Sequence, residues 1–300
     1  MSVQEMPLLE EFLRVDQENS ESSRRLLLQL HPRSIDIAER GATVFDAASE
    51  ALGRESKISE NQRGISEWAG KYKIESKHAL QLLSTASLIG GVEDDFTRAK
   101  ENFVKGVAFY ARLYLVMRLR RDYLFGLTDL LRLRRTASQG YLRLQAETVA
   151  VLAMSLDEPE VGQEWLETME EDKGKAFYKK YHKRVVQKIK DLGLHFYYEQ
   201  ASQNALHSRV GGVASGVVQG NAVRDKGEVA LVYQEANDPY SFFLWLCSYL
   251  RFHEILSRSL LTVVPEAVTD LAEEIRLFRE GVEELWELLG AMRASQKRRA

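Results

Sequence analysis

Two charged side chains on one predicted helix, and a histidine further along the chain, are the residues whose types and spacing could do chemistry. Arg143 and Glu147 stand four residues apart, and no other charge follows until Asp157. A carboxylate with so many apolar neighbours is expected to be partly buried, and Arg143 can supply the partner that a buried charge needs. His207 closes the segment "FYYEQASQNALH", just before a glycine-rich stretch. If the three side chains converge, Glu147 and His207 could do acid–base work beside a stabilising arginine.

The sequence favours a structural interpretation of the same residues. Arg143 and Glu147 could form an ion pair that orients a core helix. A histidine near the carboxyl end of a helix is also favoured by the helix dipole alone, so His207 does not by itself indicate a site. We predict His207, Glu147 and Arg143 as catalytic residues. The catalytic interpretation requires that these three side chains lie close together in space.

The elements that must position these residues are predicted to be helices. Four of the five prolines stand where a helix would begin, as Pro159 does after Asp157, and Gly53, Gly90 and Gly193 fall at predicted helix ends. Only 228–235 could be a strand. The fold class is therefore all-α, an irregular multi-helix bundle with a long central helix hairpin. The predicted helices are 7–30, 33–52, 63–72, 76–89, 93–134, 137–156, 158–171, 175–192, 195–208, 239–262 and 265–294.

Two of these helices carry apolar residues at clear helical spacing. In the fifth helix the pattern runs through Phe96, Phe103, Val107, Tyr110, Tyr114 and Met117. In the last helix it follows alternating steps of three and four, through Val268, Leu271, Ile275, Phe278, Val282, Leu285, Leu289 and Met292. Such a pattern indicates either a helix packed within its own bundle or the seam of a dimer.

Composition places limits on the class of protein. The 300 residues are predicted to form a single domain (1–300), with a possible amino-terminal lobe (1–91), a main bundle (92–294) and a short basic tail (295–300). The only cysteine, Cys247, lies in an apolar run, which is typical of a buried thiol in a reducing compartment. The amino terminus has no signal-peptide pattern and no run is long enough to span a membrane. We therefore expect a cytoplasmic protein without a membrane partner.

Charge is segregated along the chain. Residues 112–143 hold eight arginines against Asp122 and Asp129, residues 157–172 hold eight acids and no base, and residues 173–190 hold eight Lys or Arg and no acid. The arginine-rich segment could contact nucleic acid, with tyrosines nearby for stacking. Alternatively, the acidic and basic helices face each other or simply present their charges to solvent, which the near-cancelling charges and the net charge of −3 favour.

Signatures of common cofactor and metal sites are missing. Glu75 and His78 form one Glu-x-x-His motif, but a di-iron bundle needs two. There is no cysteine cluster for zinc, and no Gly-Lys-Ser/Thr follows the glycines near residue 211. We predict no cofactor and no metal.

Two stretches, "LRRTASQGYLRLQAETVAVLAMSLDEPEVGQEW" and "FYYEQASQNALHS", resemble a family of all-helical bacterial proteins of unknown function. The resemblance covers roughly residues 132–212, and Ser202 and His207 are five apart where the family has four. These proteins are loosely similar to HEPN domains, some of which are ribonucleases in toxin and phage-defence systems with an Arg-x4–6-His motif. Arg25 and His31 have that spacing here, although Leu follows Arg25 where the nucleases prefer a polar residue. The family's pattern falls on Arg143, Glu147, Pro159, Tyr198, Ser202 and His207.

Two functions from different classes follow. The first is a non-enzymatic interaction or regulatory protein, which forms homo-oligomers or binds a protein partner through its last helices. The second, which the resemblance implies, is a HEPN-like RNA-cleaving or nucleotide-binding effector of a bacterial toxin or phage-defence system. In that case His207 or His31 would supply acid–base chemistry, and an arginine would stabilise the transition state.

Overall fold

The computed structural model describes residues 6–54, 66–67, 69–70, 94–168, 173–203, 239–264 and 268–299. Within these ranges the chain is helical and has no strand, which confirms the all-α prediction. The predicted helix 76–89 and the candidate strand 228–235 lie outside the described residues, and of the predicted helix 63–72 only a short helical piece is described. The helices are α1 (Met6–Leu30), α2 (Ser34–Arg54), α3 (Asp94–Leu131), α4 (Arg135–Asp157), α5 (Pro159–Glu167), α6 (Lys173–Asp191), α7 (His195–Ala201), α8 (Pro239–Val263) and α9 (Val268–Arg299).

The turn between α3 and α4 makes the predicted central hairpin. The helix ends three residues earlier than predicted, because Leu133 adopts the left-handed conformation with φ of 62°. The amide of Arg134 then donates to the carbonyl of Asp129, which closes the helix end as a glycine usually does. Arg132 and Arg134 both reach Asp16 of α1, at 3.1 and 2.6 Å. An ion-pair cluster thus braces a turn that has no glycine.

Helix α4 lies at the centre of the bundle and packs against α3, α5, α6, α7 and α8. Its apolar half is almost fully buried, from Ala146 to Met154. The boundary after it falls at the predicted place, with Pro159 in the first turn of α5. The cap differs from expectation: Glu158 is the N-cap and makes no side-chain cap bond, while Asp157 still belongs to α4.

Aromatic side chains and buried polar groups join α3, α4 and α8. The hydroxyl of Tyr249 donates to the carbonyl of Tyr123 at 2.6 Å, and the hydroxyl of Tyr123 donates to the carbonyl of Ala38 in α2. His253 lies against both tyrosine rings and bonds Gln145 of α4. These bonds fix the relative positions of α2, α3, α4 and α8.

Helix α9 packs within the chain's own bundle. The seam residues Leu271, Ile275, Phe278, Val282, Leu285 and Leu289 are all buried. They contact α8 and α2. The first of the two interpretations of the seam is therefore confirmed.

The outer face of α3 keeps large apolar residues in solvent. Tyr114 and Met117, part of the pattern that predicted this helix, are 49% and 51% exposed, and Phe125 is 51% exposed. The core instead takes Leu115, Leu119 and Tyr123. No helix within the described ranges combines the length and the apolarity that crossing a bilayer requires.

Candidate functional site

The predicted ion pair of α4 is present and has a third member. Arg143 Nε donates to Glu147 Oε1 at 3.0 Å, and both side chains are mostly buried, as expected. The hydroxyl of Tyr198 in α7 donates to the same oxygen at 3.2 Å. The Arg143 guanidinium also lies 5.4 Å from the centre of the Tyr198 ring. We call these three residues the clamp, because they tie α7 to α4.

Burial and the contacts within the clamp shift the pKa values of Tyr198 and Arg143. Burial, and then the charge of Glu147, raise the pKa of Tyr198 to about 12, so the phenol keeps its proton at neutral pH. Burial alone would lower the pKa of Arg143, but the hydrogen bond and charge of Glu147 raise it on balance. The two bonds to Oε1 hold the Glu147 carboxylate in one position. This is the geometry of a structural ion pair.

A cavity of about 170 Å³ opens beside the clamp, between α4, α5 and α6. Glu147 forms part of its wall, and both hydrogen bonds go to Oε1, so no described residue bonds Oε2. Aromatic rings line much of the rest, from Trp165 of α5 and from Phe177, Tyr178 and Tyr181 of α6. The cavity is similar in size to one of about 150 Å³ that holds benzene. It suits a ligand of roughly ten non-hydrogen atoms or fewer.

Two polar groups on the cavity wall lack hydrogen-bond partners. Arg118 of α3 approaches Asp122 only at 3.5 Å and makes no hydrogen bond with any described residue. Asp122 is already held by Arg121, whose Nε and Nη2 both donate to Oδ1 at 3.0 and 2.8 Å. The Nδ1 atom of His182 is also buried without a partner in the described part of the chain. The described lining of the cavity carries one cation, Arg118, and one carboxylate, Glu147, among apolar and aromatic side chains.

The acidic and basic blocks face each other on the surface. Lys180 contacts Glu164 at 2.6 Å and Lys188 contacts Asp157 at 3.1 Å, while Arg184 pairs with Glu158. These bonds join α6 to α5 and to the end of α4. The interpretation that the two blocks neutralise each other is confirmed for these pairs.

The eight arginines of 112–143 are engaged within the chain. Six of them contact carboxylates, on Asp16, Asp46, Asp122 and Glu147. Arg112 donates to the Val263 carbonyl, and Arg135 lies 4.6 Å from the centre of the Trp245 ring. These contacts weigh against an open basic face, and nucleic-acid binding by this segment stays a prediction.

Of the two candidate histidines, only His31 lies among the described residues. His207 lies outside the described residues, so its convergence with Arg143 and Glu147 stays a prediction. His31 contacts Glu284 of α9 at 2.8 Å, far in sequence from the clamp. Arg25, its partner in the Arg-x5-His motif, is exposed on α1. Cys247 is fully buried, and burial raises the pKa of its thiol to about 12, so it is not poised as a nucleophile.

Sequence reasoning placed Arg143 and Glu147 correctly but did not identify the cavity beside them. Tyr198 was part of the family resemblance, not of the predicted ion pair. The aromatic residues of α6 gave a usable signal, because Phe177 and Tyr178 each lie about one turn before Tyr181 in a lysine-rich helix.

Comparison with known proteins finds no match to a family model, to a curated protein or to a solved structure. The HEPN-like resemblance therefore stays a prediction. Among the described residues, no three His, Cys, Asp or Glu side chains are grouped so that they could hold a metal ion.

Proposed function

We propose that the protein is a non-enzymatic regulatory module, working in a reducing compartment such as the cytoplasm, that binds a small molecule in the cavity beside the clamp. The observation that carries the proposal is the position of Glu147, which belongs both to the cavity wall and to the clamp. A ligand that contacts this carboxylate would change how firmly Tyr198 holds α7 against α4. A binding event would then alter the surface of the bundle.

The bonding of the clamp supports binding over catalysis. Glu147 is occupied by a permanent cation and by a phenol that keeps its proton, so neither of its neighbours relays a proton at neutral pH. A partner protein or a second copy would have to use a surface other than the α9 seam, because the seam is buried in the bundle. We therefore propose self-association through the last helices only by surfaces outside this seam.

The test is ligand-induced stabilisation of the purified protein. Compounds of ten or fewer non-hydrogen atoms, grouped as acids, amines and neutral molecules, are screened by thermal melting, because a ligand that binds only the folded state raises Tm. Leu144→Trp fills the cavity mouth from a position that is already 38% exposed. Leu28→Trp, 44% exposed on α1, is the matched control away from the cavity.

We expect at least one group of compounds to raise the Tm of the wild type and of Leu28→Trp, but not that of Leu144→Trp. Equal shifts in both variants, or no shift with any group, would contradict the proposal.

A further inference from the structure

A second cavity, of about 310 Å³, lies between α4, α7, α8 and α9, and none of the clamp residues lines it. Its volume is about twice that of a cavity of about 150 Å³ that holds benzene, which suits a ligand of two fused rings. It reaches solvent beside α7, where Phe196 is 62% exposed and Gln200 is also exposed. The second cavity is therefore both large enough for a bicyclic ligand and open to one.

Aromatic rings from three helices form much of the wall of the second cavity: Phe196 and Tyr197 of α7, Trp245 and Tyr249 of α8, and Trp286 of α9. Tyr197, Trp245 and Trp286 are half-buried, so part of each side chain stays accessible. The guanidinium of Arg135 lies 4.6 Å from the centre of the Trp245 ring. Aromatic rings and guanidinium planes are the groups on which proteins stack nucleic-acid bases. This wall favours a flat aromatic ligand.

Two carboxamides on the same wall favour a base over a plain hydrocarbon ring. Gln139 of α4 and Gln200 of α7 line the second cavity, and neither side chain bonds another described residue. Gln139 is half-buried and Gln200 is exposed, so a ligand can reach both side chains. A carboxamide presents a donor and an acceptor side by side, which matches the amino group and the neighbouring ring nitrogen of adenine.

The main alternative is a quaternary ammonium group, which aromatic rings also bind. Such a group has no N–H to donate and no lone pair to accept with, so it would make no hydrogen bond to either glutamine. The glutamines therefore favour a base, and the volume favours two fused rings over one. We infer that the second cavity binds a purine base, stacked among the rings of α7 and α8 and bonded at its edge by Gln139 and Gln200. This site is separate from the cavity beside the clamp and goes beyond the proposed function.

The experiment follows binding by fluorine NMR on the full chain labelled with 5-fluorotryptophan. Of the four tryptophan signals, Trp245→Phe assigns the one in the second cavity, and Trp165→Phe assigns the one beside the clamp. The probes are adenine, choline and indole, which has two fused rings but lacks the matching edge. We expect adenine to shift the Trp245 signal with about fivefold to a hundredfold higher affinity than indole, the range for two hydrogen bonds. Choline should bind least.

Gln139→Leu/Gln200→Leu removes both carboxamides with little change in volume. It should weaken adenine binding by about fivefold to a hundredfold and leave indole binding nearly unchanged, because the rings remain. Gln17→Leu/Gln29→Leu makes the same chemical change at two exposed positions of α1 and should leave adenine binding unchanged.

A free base, a nucleotide and an RNA strand can all carry the same purine ring. AMP and a short oligoadenylate are therefore titrated beside adenine on the unsubstituted chain. Whichever of the three binds tightest at the Trp245 signal supports the inference and names the source of the base.

The outcomes separate the inference from the proposed function. Indole or choline binding as tightly as adenine overturns the inference on the unsubstituted chain alone, even if the double glutamine variant fails to fold. Adenine binding that persists in that variant, or the absence of any shift at Trp245 with a purine probe, overturns it too. If adenine instead shifts the Trp165 signal and Leu144→Trp abolishes the shift, the inference fails while the proposed function stands. If adenine binds at Trp245 and no compound is sensitive to Leu144→Trp, the proposed function fails while the inference stands.

Discussion

The imidazole of His253 lies between two groups that both accept hydrogen bonds. Nδ1 is 2.7 Å from the carbonyl oxygen of Tyr249, and Nε2 is 2.7 Å from Oε1 of Gln145. Turning the Gln145 amide does not help, because its nitrogen already donates to the carbonyl of Leu119 at 3.1 Å. A neutral imidazole carries one proton and can satisfy only one acceptor. The bonding pattern favours the imidazolium, and burial opposes it.

Burial is the larger effect, and it lowers the pKa of His253 to about 3. The unfolded chain binds this proton below pH 6.5, whereas the folded protein does not, so the stability present above pH 6.5 is lost progressively as the pH falls towards 3. Between pH 7.5 and pH 5 the loss from this group is roughly 2 kcal/mol. We expect the free energy of unfolding to fall less steeply with acidification in His253→Gln than in the wild type, as measured by urea denaturation at each pH.

The rings and polar groups around His253 come from α2, α3, α4 and α8, and none of them carries a charge at neutral pH (Phe45, Tyr123, Gln145, Tyr249 and Phe252). The adjacent Glu254 is buried but is held by Arg251 and Arg258. Parallel pH profiles for the wild type and the variant would show that His253 is protonated in the folded state.

At the scale of the helices, α3 and α8 approach closely where Gly126 meets Tyr249. A Cβ atom at residue 126 would lie 2.6 Å from the Tyr249 hydroxyl oxygen, which is fixed by its bond to Tyr123. Gly126→Ala should therefore destabilise the protein by about 1–3 kcal/mol through overpacking. Helix propensity alone would give a gain of about 1 kcal/mol.

Gly140 in α4 is the matched control, because no atom lies within 4 Å of a Cβ atom built there. We expect Gly140→Ala to stabilise the protein by up to about 1 kcal/mol. Equilibrium denaturation of both variants is the measurement. A gain in stability from both substitutions would mean that α3 and α8 are not in close contact at this point.

The helices and most of their ends could be predicted from apolar spacing, prolines and glycines. The end of α6 fits this logic, since Gly193 takes the left-handed conformation with φ of 74°. The end of α3 could not be predicted in this way. There Leu133 takes the left-handed conformation, which is usually taken by glycine, and a leucine gives no local signal of a turn. The cluster around Asp16, more than a hundred residues away, stabilises this turn. Long-range contacts of that kind are invisible to local patterns.

The candidate site shows the same division. An Arg and a Glu four apart predict their own ion pair, because helix geometry alone brings them together. The partner Tyr198 and the cavity both require the packing of different helices. Tyr114 and Met117 illustrate a related limit: their spacing predicts a helix, but the spacing does not say which side faces the core.

At the scale of the whole molecule, the chain neutralises its own charge blocks. Asp157, Glu158 and Glu164 pair with basic residues of α6, and six arginines of 112–143 contact carboxylates on α1, α2, α3 and α4. Charge blocks along a sequence are thus consistent with a bundle that folds on itself. A net charge near zero does not distinguish this arrangement from a protein with an exposed basic face, because the total charge of the chain is the same in both cases.

The role of α9 gives a test that concerns the whole fold. Leu285 is fully buried against the bundle, so Leu285→Asp places a carboxylate without a partner in the core. We expect loss of the cooperative thermal transition and of most helical circular dichroism, since a penalty above about 4 kcal/mol is a large part of the stability of a typical domain. Ala291→Asp puts the same charge on an exposed position of the same helix and should leave the protein folded. A different result is expected if the seam joins two chains. Leu285→Asp would then be a folded monomer in sedimentation, at a concentration where Ala291→Asp is a dimer.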